Sequence, residues 1–201
     1  MIYKYRYASP LGAISLASDG PSLCGLWFEG QKYFEAKLEE RVLGSISGSI
    51  SGSISGRNTS DDIEIVEGEG ALAQASGIKQ AISWLDAYFS GKNPGGLPPV
   101  ALHGTPFQET VWAELAKVPY GETTTYGAIA HALAVNSPTK RMSARAVGTA
   151  IGKNPISIIL PCHRIVGASG NLTGYAGGLE RKIKLLELEG IDTNQFKAPI
   201  K

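Results

Sequence analysis

The sequence has few cysteines, no long apolar run and almost no net charge, and each shortage excludes a class of protein. Among its 201 residues, Cys24 and Cys162 can form one disulfide at most, and a reducing compartment favours two free thiols. No apolar stretch approaches the ~20 residues of a membrane span, and residues 1–6 lack the apolar core of a secretory signal. We therefore predict a cytoplasmic protein without a membrane partner, with room for one large domain or two small ones.

Acidic residues are missing from one long stretch. Residues 123–179 contain no carboxylate but five lysines and arginines, so that the formal net charge of +1 is unevenly distributed along the chain. A stretch this free of acids suits an anionic substrate such as a phosphate backbone. The alternative is chance in a segment rich in glycine, alanine and serine.

Turn residues divide the N-terminal part into short elements. Apolar runs predict strands over 2–7, 13–17 and 23–28, and the turn sequences between them indicate a small antiparallel sheet. A Gly-Ser-Ile-Ser repeat at 44–56 is typical of a loop or linker, although its isoleucines leave a strand open. Apolar residues at helical spacing then predict an amphipathic helix over 71–90 that covers the sheet.

A cluster rich in glycine and proline follows this helix and is the best domain boundary in the chain. We therefore predict an N-terminal α/β domain over 1–98, a linker over 99–104, a second domain over 105–190 and a C-terminal tail over 191–201.

The second domain opens with a helix-capping sequence. Thr105 is a good N-cap, Pro106 suits the first helical position, and Gln108 can close a capping box. Two further short helices are predicted over 126–133 and 143–153, and the second of them is basic. Such a pair joined by a loop is typical of winged helix-turn-helix domains that bind DNA, although many helical pairs bind nothing.

Arg145 points away from the core predicted for the third helix. At 100° per residue, Val147 and Ile151 share a face that lies about 200° from Arg145. The side chains beside Arg145, such as Thr149, are small enough for a DNA duplex to approach closely. The alternative is a solvated arginine on a surface helix.

The main chemical signal is Pro-Cys-His-Arg at 161–164, directly after the apolar run 156–160. A free thiol titrates near ~8.5, and a nearby imidazolium or helix N-terminus helps to hold it as a thiolate. Pro161 ends the extended run and favours a turn, in which His163 could reach the Cys162 thiol through a water. Cys162 is therefore the predicted nucleophile. The alternative is a buried cysteine beside an unrelated histidine.

Glu189 supplies a third member for a relay. It lies at the end of a helix predicted to begin near Gly178 and to stop at Gly190. A carboxylate there opposes the helix dipole at a cost of about 0.3–1 kcal/mol, and a local rule broken in this way can mark function. Glu189 would complete a Cys-His-Glu relay that orients His163. The alternative is a solvated surface carboxylate.

Together these motifs resemble the O6-alkylguanine-DNA alkyltransferase family over most of 105–190. The matching segments are Pro-Cys-His-Arg at 161–164, Asn-Pro-Ile at 154–156, Arg-Ala-Val-Gly at 145–148, Tyr-Ala-Gly-Gly-Leu at 175–179 and Leu-Glu-Gly at 188–190. The resemblance implies a two-domain α+β fold. Its N-terminal domain would be a small antiparallel sheet with a helix (RNase H-like), and its C-terminal domain a winged helix-turn-helix-like helical domain that carries the active-site cysteine.

The resemblance also implies a DNA repair transferase that acts once. An alkyl group on O6-alkylguanine, with O4-alkylthymine as a further substrate, would pass irreversibly to Cys162 by base flipping and SN2 displacement. No cofactor and no metal are implied. The partner would be double-stranded DNA that contains alkylated bases, and the protein would be a monomer.

By the same resemblance, the site residues fall into three groups. The catalytic residues are Cys162, His163, Glu189 and Asn154, in which Glu189 orients and charges His163. The substrate-binding residues are Tyr126, Tyr175, Ala176, Ile165 and Ser157. The DNA-binding residues are Arg145, Tyr126, Ala146, Thr149, Lys140 and Arg141, in which Arg145 enters the stack that the flipped base leaves.

Two positions depart from the pattern of some family members. Some have serine where Ala176 stands, so here only backbone N–H groups could contact the leaving group. Some have proline where Ser157 stands, which suggests a roomier pocket and tolerance of alkyl groups larger than methyl.

Two other functions are alternatives. A plain DNA-binding or damage-sensing module would use the helix-turn-helix without chemistry, and the cysteine at position 162 argues against it. A cysteine hydrolase would use Cys162, His163 and Glu189 but would leave Tyr126 and Arg145 unexplained.

Overall fold

The computed structural model describes residues 1–34, 64–135 and 141–197. The repeat at 44–56 and Lys140, for which the sequence predicts a loop and a DNA contact, lie outside these residues. Across the described ranges the fold is α+β, with six α-helices, a four-stranded mixed sheet and a two-stranded parallel sheet. In the same ranges, no helix combines the length and the apolar character that crossing a membrane requires.

The N-terminal sheet has the strand order β3-β2-β1-β4. Strands β1 (Ile2–Ser9), β2 (Gly12–Ser18) and β3 (Leu23–Phe28) form the predicted antiparallel meander. Strand β4 (Ile65–Glu67) pairs with β1 in parallel, so the prediction of a purely antiparallel sheet is wrong. Three residues are too few to show the period-two alternation by which a strand is recognised.

Two helices cover this sheet where the sequence predicts one. Helix α1 (Gly68–Gln74) ends at Ala75, whose extended backbone (φ −96°, ψ 105°) separates it from α2 (Ser76–Phe89). The amide of Gly77 donates to the carbonyl oxygen of Gly20 at 2.9 Å. A Cβ at Gly77 would lie 2.7 Å from the backbone of Ser22, so the helix can approach the β2–β3 turn this closely only at a glycine.

The second half contains helices α3 (Pro106–Leu115), α4 (Tyr126–Val135) and α5 (Ala144–Gly152). The capping box of Thr105 and Gln108 is present at the start of α3, as predicted. The indole Nε1 of Trp112 donates to the carbonyl oxygen of Ala150 at 2.9 Å, which fixes α3 against α5. On α5, Val147 and Ile151 are buried and Arg145 is exposed, which confirms the predicted face.

The segment that leads to Cys162 extends the N-terminal sheet. The amide of Leu26 in β3 donates to the carbonyl oxygen of Pro155, and the amide of Ser157 donates back to that of Leu26, both at 2.9 Å. The chain then makes two γ-turns, one around Ile158 (φ 68°) and one around Pro161 (φ −81°, ψ 59°). A positive φ at a β-branched residue is strained and persists only where the surroundings fix it. Ile158 meets that condition because it is completely buried.

Both halves contribute to one hydrophobic core. The core contains Leu26 and Phe28 of β3, Trp112 of α3, and Ile156 and Ile165 on either side of the cysteine. Strand β6 (Ile165–Val166) begins three residues after Cys162 and pairs in parallel with β5 (Thr124–Thr125). Helix α6 (Leu179–Leu188) follows in the chain.

The predicted linker 99–104 runs along the edge of the N-terminal sheet. The amide of Leu23 donates to the carbonyl oxygen of Pro99, and the amide of Ala101 donates to that of Leu23, both at 2.9 Å. The two halves therefore meet across a packed surface, and the domain limits 1–98 and 105–190 stay predictions.

Candidate active site

Cys162 begins a 3-10 turn (Cys162–Arg164) and is 5% exposed. The side-chain amide of Asn154, just after α5, donates to the carbonyl oxygen of Leu160 at 2.9 Å and to Cys162 Sγ at 3.1 Å. Its Oδ1 accepts from the amide of Ile156 at 3.0 Å. One side chain thus joins the end of α5 to the turn that presents the sulfur.

Burial raises the pKa of the Cys162 thiol above its ordinary value, while the hydrogen bond from Asn154 and the positive charge of Lys182 act in the opposite direction. The protonated thiol is therefore the resting form, and not the thiolate that the adjacent histidine leads one to expect. A thiolate therefore forms at this sulfur only when a nearby base takes the proton.

Glu189 lies against His163 and is enclosed by hydrogen-bond donors. Its Oε1 is 2.7 Å from His163 Nε2 and accepts from Arg164 Nη2 at 3.0 Å. Its Oε2 accepts from Arg164 Nε at 2.8 Å and from the amide of Gly121 at 3.1 Å. Glu189 is the C-cap residue of α6 and only 6% exposed, so the alternative of a solvated carboxylate is wrong. Arg164 offsets the unfavourable position of this carboxylate in the helix dipole.

The charges of this pair follow from its surroundings. Burial acts to raise the pKa of Glu189, but hydrogen bonds from His163 and Arg164 outweigh it and lower that pKa to about 2. Burial lowers the pKa of His163, against the opposing effect of Glu189. At neutral pH the pair is therefore a carboxylate and a neutral imidazole. The resemblance implies a different state, in which Glu189 gives His163 a positive charge. Arg164 supplies the positive charge beside the carboxylate.

The hydrogen bonds also assign the tautomer of His163. An ionised carboxylate only accepts, so the hydrogen of the neutral ring is on Nε2 and points to Glu189. The lone pair is then on Nδ1, which is buried and has no hydrogen-bond partner among the residues that the structure describes. His163 is therefore a neutral base whose acceptor nitrogen is not occupied by the relay.

A cavity of about 650 Å³ opens onto Cys162. The predicted site residues in its lining are Cys162, Asn154, Tyr126, Tyr175, Ala176, Arg145 and Thr149. Ile165 and Ser157, which were expected to bind substrate, lie outside this lining. Ile165 is completely buried in the core, and the Ser157 hydroxyl is 3.3 Å from Gln31 Oε1 in the N-terminal half. Pairing of residues 155–157 with β3 accounts for this position of Ser157.

Two tyrosines among the predicted site residues line the cavity. The Tyr126 hydroxyl is 3.4 Å from the carbonyl oxygen of Gly174, and its ring packs on Gly148, where a Cβ would come to 3.5 Å. The Tyr175 hydroxyl is buried without a hydrogen-bond partner in the described part of the chain. Burial raises the pKa of Tyr175 well above its ordinary value, so this hydroxyl keeps its hydrogen and can donate it to a bound molecule.

The remaining residues predicted to contact DNA lie on or near α5. Arg145 and Thr149 are exposed and Ala146 is half-buried. Arg141 is exposed and lines a different cavity, together with His131 and Met142. Lys140 falls outside the described residues, as noted above.

Besides Arg164, two buried residues of the site carry no role in the sequence-based prediction. Lys182 on α6 is completely buried, and its Nζ donates to the carbonyl oxygens of Ile165 at 2.5 Å and Thr173 at 2.7 Å. Burial lowers its pKa to about 8, against the effect of Cys162. Lys182 lies three residues before Leu185 and four before Leu186, on the buried face of the helix. A lysine at such a position is a signal that could have identified it. Tyr88, from α2 in the other half of the chain, offers no such local signal.

The second cysteine takes no part in this site. Cys24 and Cys162 are both free thiols, which settles the choice between a disulfide and two thiols. Burial raises the pKa of Cys24 to about 12, so that this thiol is a poor nucleophile. Within 1–34, 64–135 and 141–197, no group of three or more His, Cys, Asp or Glu side chains is placed to hold a metal ion.

Comparison with protein families gives two matches that together cover most of the chain. Residues 106–191 match a family described as 6-O-methylguanine DNA methyltransferase, DNA binding domain. Residues 1–94 match a family described as 6-O-methylguanine DNA methyltransferase, ribonuclease-like domain.

Individual proteins and solved structures agree with these matches. A methylated-DNA--protein-cysteine methyltransferase of Mycobacterium leprae is 39% identical over 189 residues, which are 94% of this chain and 93% of that protein. A protein of the same name from Mycobacterium tuberculosis is 51% identical over 109 residues, which are 54% of this chain and 63% of that protein. The crystal structure of the Mycobacterium tuberculosis O6-methylguanine methyltransferase is similar at a TM-score of 0.67 and 36% identity, over 94% of this chain and 93% of that one. A structure of the Mycobacterium tuberculosis protein in complex with DNA has the same TM-score at 33% identity, over 96% of this chain and 94% of that one.

Proposed function

The chain belongs to the 6-O-methylguanine DNA methyltransferase family, and on that premise we propose how its residues carry out the transfer. It is a DNA repair protein that moves an alkyl group from O6-alkylguanine in DNA irreversibly to its own Cys162. The observation that carries this assignment is Cys162 at the cavity, with the Asn154 amide donating to its Sγ and with His163, the next residue in the chain, held in a buried pair with Glu189.

The chemical step is a single displacement. The Cys162 sulfur forms a bond to the alkyl carbon while the bond between that carbon and guanine O6 breaks, and the bonding electrons leave with the base. The thiol proton passes through a water to His163 Nδ1, the nitrogen left free by the hydrogen bond to Glu189. The product is a thioether, which has no easy way back, so each molecule reacts once.

The leaving base needs a donor because it departs with a negative charge. We propose that the Tyr175 hydroxyl, which keeps its hydrogen, donates to this base, together with backbone N–H groups near Ala176. Asn154 acts on the sulfur instead. Its N–H donates to Sγ, and this hydrogen bond strengthens as the thiolate forms.

DNA binding is assigned to the exposed side of α5. The Arg145 side chain would fill the space in the stack from which the target base has turned, and Tyr126 would guide the base into the cavity. Thr149, Ala146 and Arg141, with Lys140, would contact the sugar-phosphate backbone and so bind DNA independently of sequence.

Substrate range depends on the size of the pocket. A cavity of about 650 Å³ has room for substituents larger than methyl, and alanine at position 176 leaves its wall without a hydroxyl. O4-alkylthymine is the further substrate we propose. Ser157 lies outside the lining, but its side chain acts to lower the pKa of Tyr175, which lines the cavity. We therefore propose that the departure from proline at that position acts through Tyr175.

The broader organisation follows from the same premise. We propose a ribonuclease H-like domain over 1–98, a linker over 99–104, a winged helix-turn-helix-like domain over 105–190 and a tail over 191–201. We further propose that the protein is a cytoplasmic monomer and needs no cofactor or metal for the transfer.

The test is intact mass after incubation with duplex DNA that carries one O6-methylguanine, followed by peptide mapping. One added CH2 per protein, located on Cys162 and absent from Cys162→Ala, is the expected result. Cys24→Ala is the matched control and should react like the wild type, because the buried Cys24 takes no part. Tight lesion binding without an adduct would show a damage sensor instead, and continued turnover would show a hydrolase.

A further inference from the structure

One hydroxyl from the N-terminal half reaches the relay. The side chain of Tyr88 in α2 is completely buried. Its hydroxyl is 2.7 Å from Glu189 Oε1 and 3.3 Å from His163 Nε2, although 101 positions separate Tyr88 from Glu189. The Tyr88 ring stacks on Trp84 at 5.3 Å and meets Tyr120 edge-on at 6.0 Å. Packing therefore fixes where this hydroxyl lies.

The direction of each hydrogen bond follows from the charges. Glu189 is a carboxylate and only accepts, so Tyr88 donates its single hydroxyl hydrogen to Oε1. The lone pairs of the tyrosine oxygen then face His163 Nε2. Two lone pairs would repel each other at 3.3 Å, so this approach is favourable only when Nε2 carries the ring hydrogen. The three side chains have satisfied hydrogen bonds in only one tautomer of His163.

We propose that Tyr88 is a positioning residue of the relay, whose hydroxyl holds Glu189 and keeps His163 in the tautomer with a free Nδ1. The inference rests on the proposed function, in which Nδ1 receives the thiol proton of Cys162. It assigns a part in the reaction to the N-terminal half of the chain, from which no catalytic residue was predicted.

Several charged and titratable groups act on the same histidine. Arg164 and Glu189 contact each other beside it, and Lys182 on α6 acts on its charge. Cys162 is its neighbour in the same turn, Tyr175 lies near its ring, and Tyr120 lies near the Glu189 carboxylate. Removing the Tyr88 hydroxyl leaves all of them in place. Glu189 keeps its bonds to Arg164 and Gly121 but loses a short bond to Oε1.

The sign of the effect follows from that loss. A carboxylate with fewer donors is more basic and stabilises a protonated His163 more strongly, so the pKa of His163 rises. The base is then blocked by a proton up to a higher pH. The rate of transfer falls at low pH because His163 gains this proton. This acid limb of the rate profile should therefore lie at a higher pH in Tyr88→Phe than in the wild type.

The experiment measures the rate of transfer from free O6-benzylguanine between about pH 5 and about pH 9. The free base keeps DNA binding out of the result. In Tyr88→Phe we expect the acid limb to shift upward by about 0.5–1 pH unit, with a loss of about threefold to tenfold at the pH of the wild-type limb. Tyr120→Phe is the matched control, because its hydroxyl donates to the carbonyl oxygen of Leu188 at 3.2 Å and not to Glu189.

An acid limb in Tyr88→Phe that coincides with the wild type, or that Tyr120→Phe shifts equally, would overturn the proposal. The 15N shifts of the His163 ring in the wild type provide a second test that needs no variant. A hydrogen on Nε2 is the expected result, and a hydrogen on Nδ1 would overturn the proposal. Failure of the proposed function is a separate outcome, in which the wild type itself gives no adduct on Cys162.

Discussion

In the proposed mechanism, Asn154 and His163 act on the proton of Cys162 from two different elements. Asn154 stabilises the negative sulfur by donating an N–H over 3.1 Å, and His163 offers an unprotonated Nδ1. Because burial favours the protonated thiol, this mechanism needs both groups for the thiolate to form.

The buried histidine predicts how stability depends on pH. The pKa of His163 in the folded chain is lowered below its ordinary value of 6.5, so the unfolded chain binds this proton first as the pH falls. The stability contributed by neutral His163 is thus present above pH 6.5 and is lost progressively as the pH falls from that value toward the lower pKa of the folded chain. Glu189, with a pKa of about 2, adds a loss below its ordinary value of 4.5.

Urea unfolding at a series of pH values checks this expectation. The free energy of unfolding should fall between pH 7 and pH 5.5 in the wild type. Over the same range it should depend little on pH in His163→Gln, whose side-chain amide can still donate to Glu189. An equal slope in the variant would assign the loss to another group.

Arg145 should matter for base extrusion and not for the displacement itself. In Arg145→Ala, we expect the rate with alkylated duplex DNA to fall by about tenfold to a hundredfold, because unstacking a base costs a few kcal/mol. The rate with free O6-benzylguanine should not change. Lys153→Ala, at the C-cap of the same helix, is the control for charge and should weaken duplex binding only slightly. Equal losses of Arg145→Ala on both substrates would contradict this role.

Whether a site residue can be predicted depends on where its partners lie in the sequence. The sequence around Cys162 and His163 is contiguous and identifies the chemistry, and Glu189 is recognisable because it opposes a helix dipole. Tyr88 looks like one of several core aromatics on α2, since the contact that gives it a role spans 101 positions. The surroundings of Ser157 could not be predicted for a related reason, because its orientation depends on pairing with a strand of the other half.

Elements that depend on neighbouring residues were predicted from the sequence, and elements that depend on contacts with residues far along the chain were not. The capping box that starts α3 involves Thr105 and Gln108 alone, and it is readable directly from the sequence. Strand β4 exists because β1 provides its hydrogen bonds. The break between α1 and α2 reflects the approach of Gly77 to the β2–β3 turn, which the helical periodicity over 71–90 does not reveal.

The contact at Gly77 predicts a sharp difference between two glycines. An alanine Cβ at position 77 would lie 2.7 Å from the backbone carbon of Ser22 and 2.8 Å from Ser18 Oγ. We expect Gly77→Ala to lower the free energy of unfolding by about 1–3 kcal/mol, because backbone has to move. The control is Gly96→Ala, where a Cβ meets nothing within 4 Å and the change should be small. Urea denaturation measures both, and equal effects would contradict the packing argument.

At the scale of the whole molecule, the shared core predicts a single unfolding transition. Trp27 and Trp84 lie in the N-terminal half and Trp112 in the other, and the chain has three tryptophans. In a variant with Phe at positions 27 and 84, the fluorescence of Trp112 should report the same urea midpoint as far-UV circular dichroism of that variant. Two separate midpoints would mean that the halves unfold independently.

The wide spacing of the site along the chain has a consequence during biosynthesis. A ribosome adds about 5–20 residues per second, so Cys162 is made before Glu189, and both come long after Tyr88. Strand β3 is likewise synthesised long before residues 155–157, which pair with its edge and lead to the cysteine. A nascent chain therefore carries the thiol but neither the relay nor the cavity. A protein that can repair only one lesion is in this way not consumed before its synthesis and folding are complete.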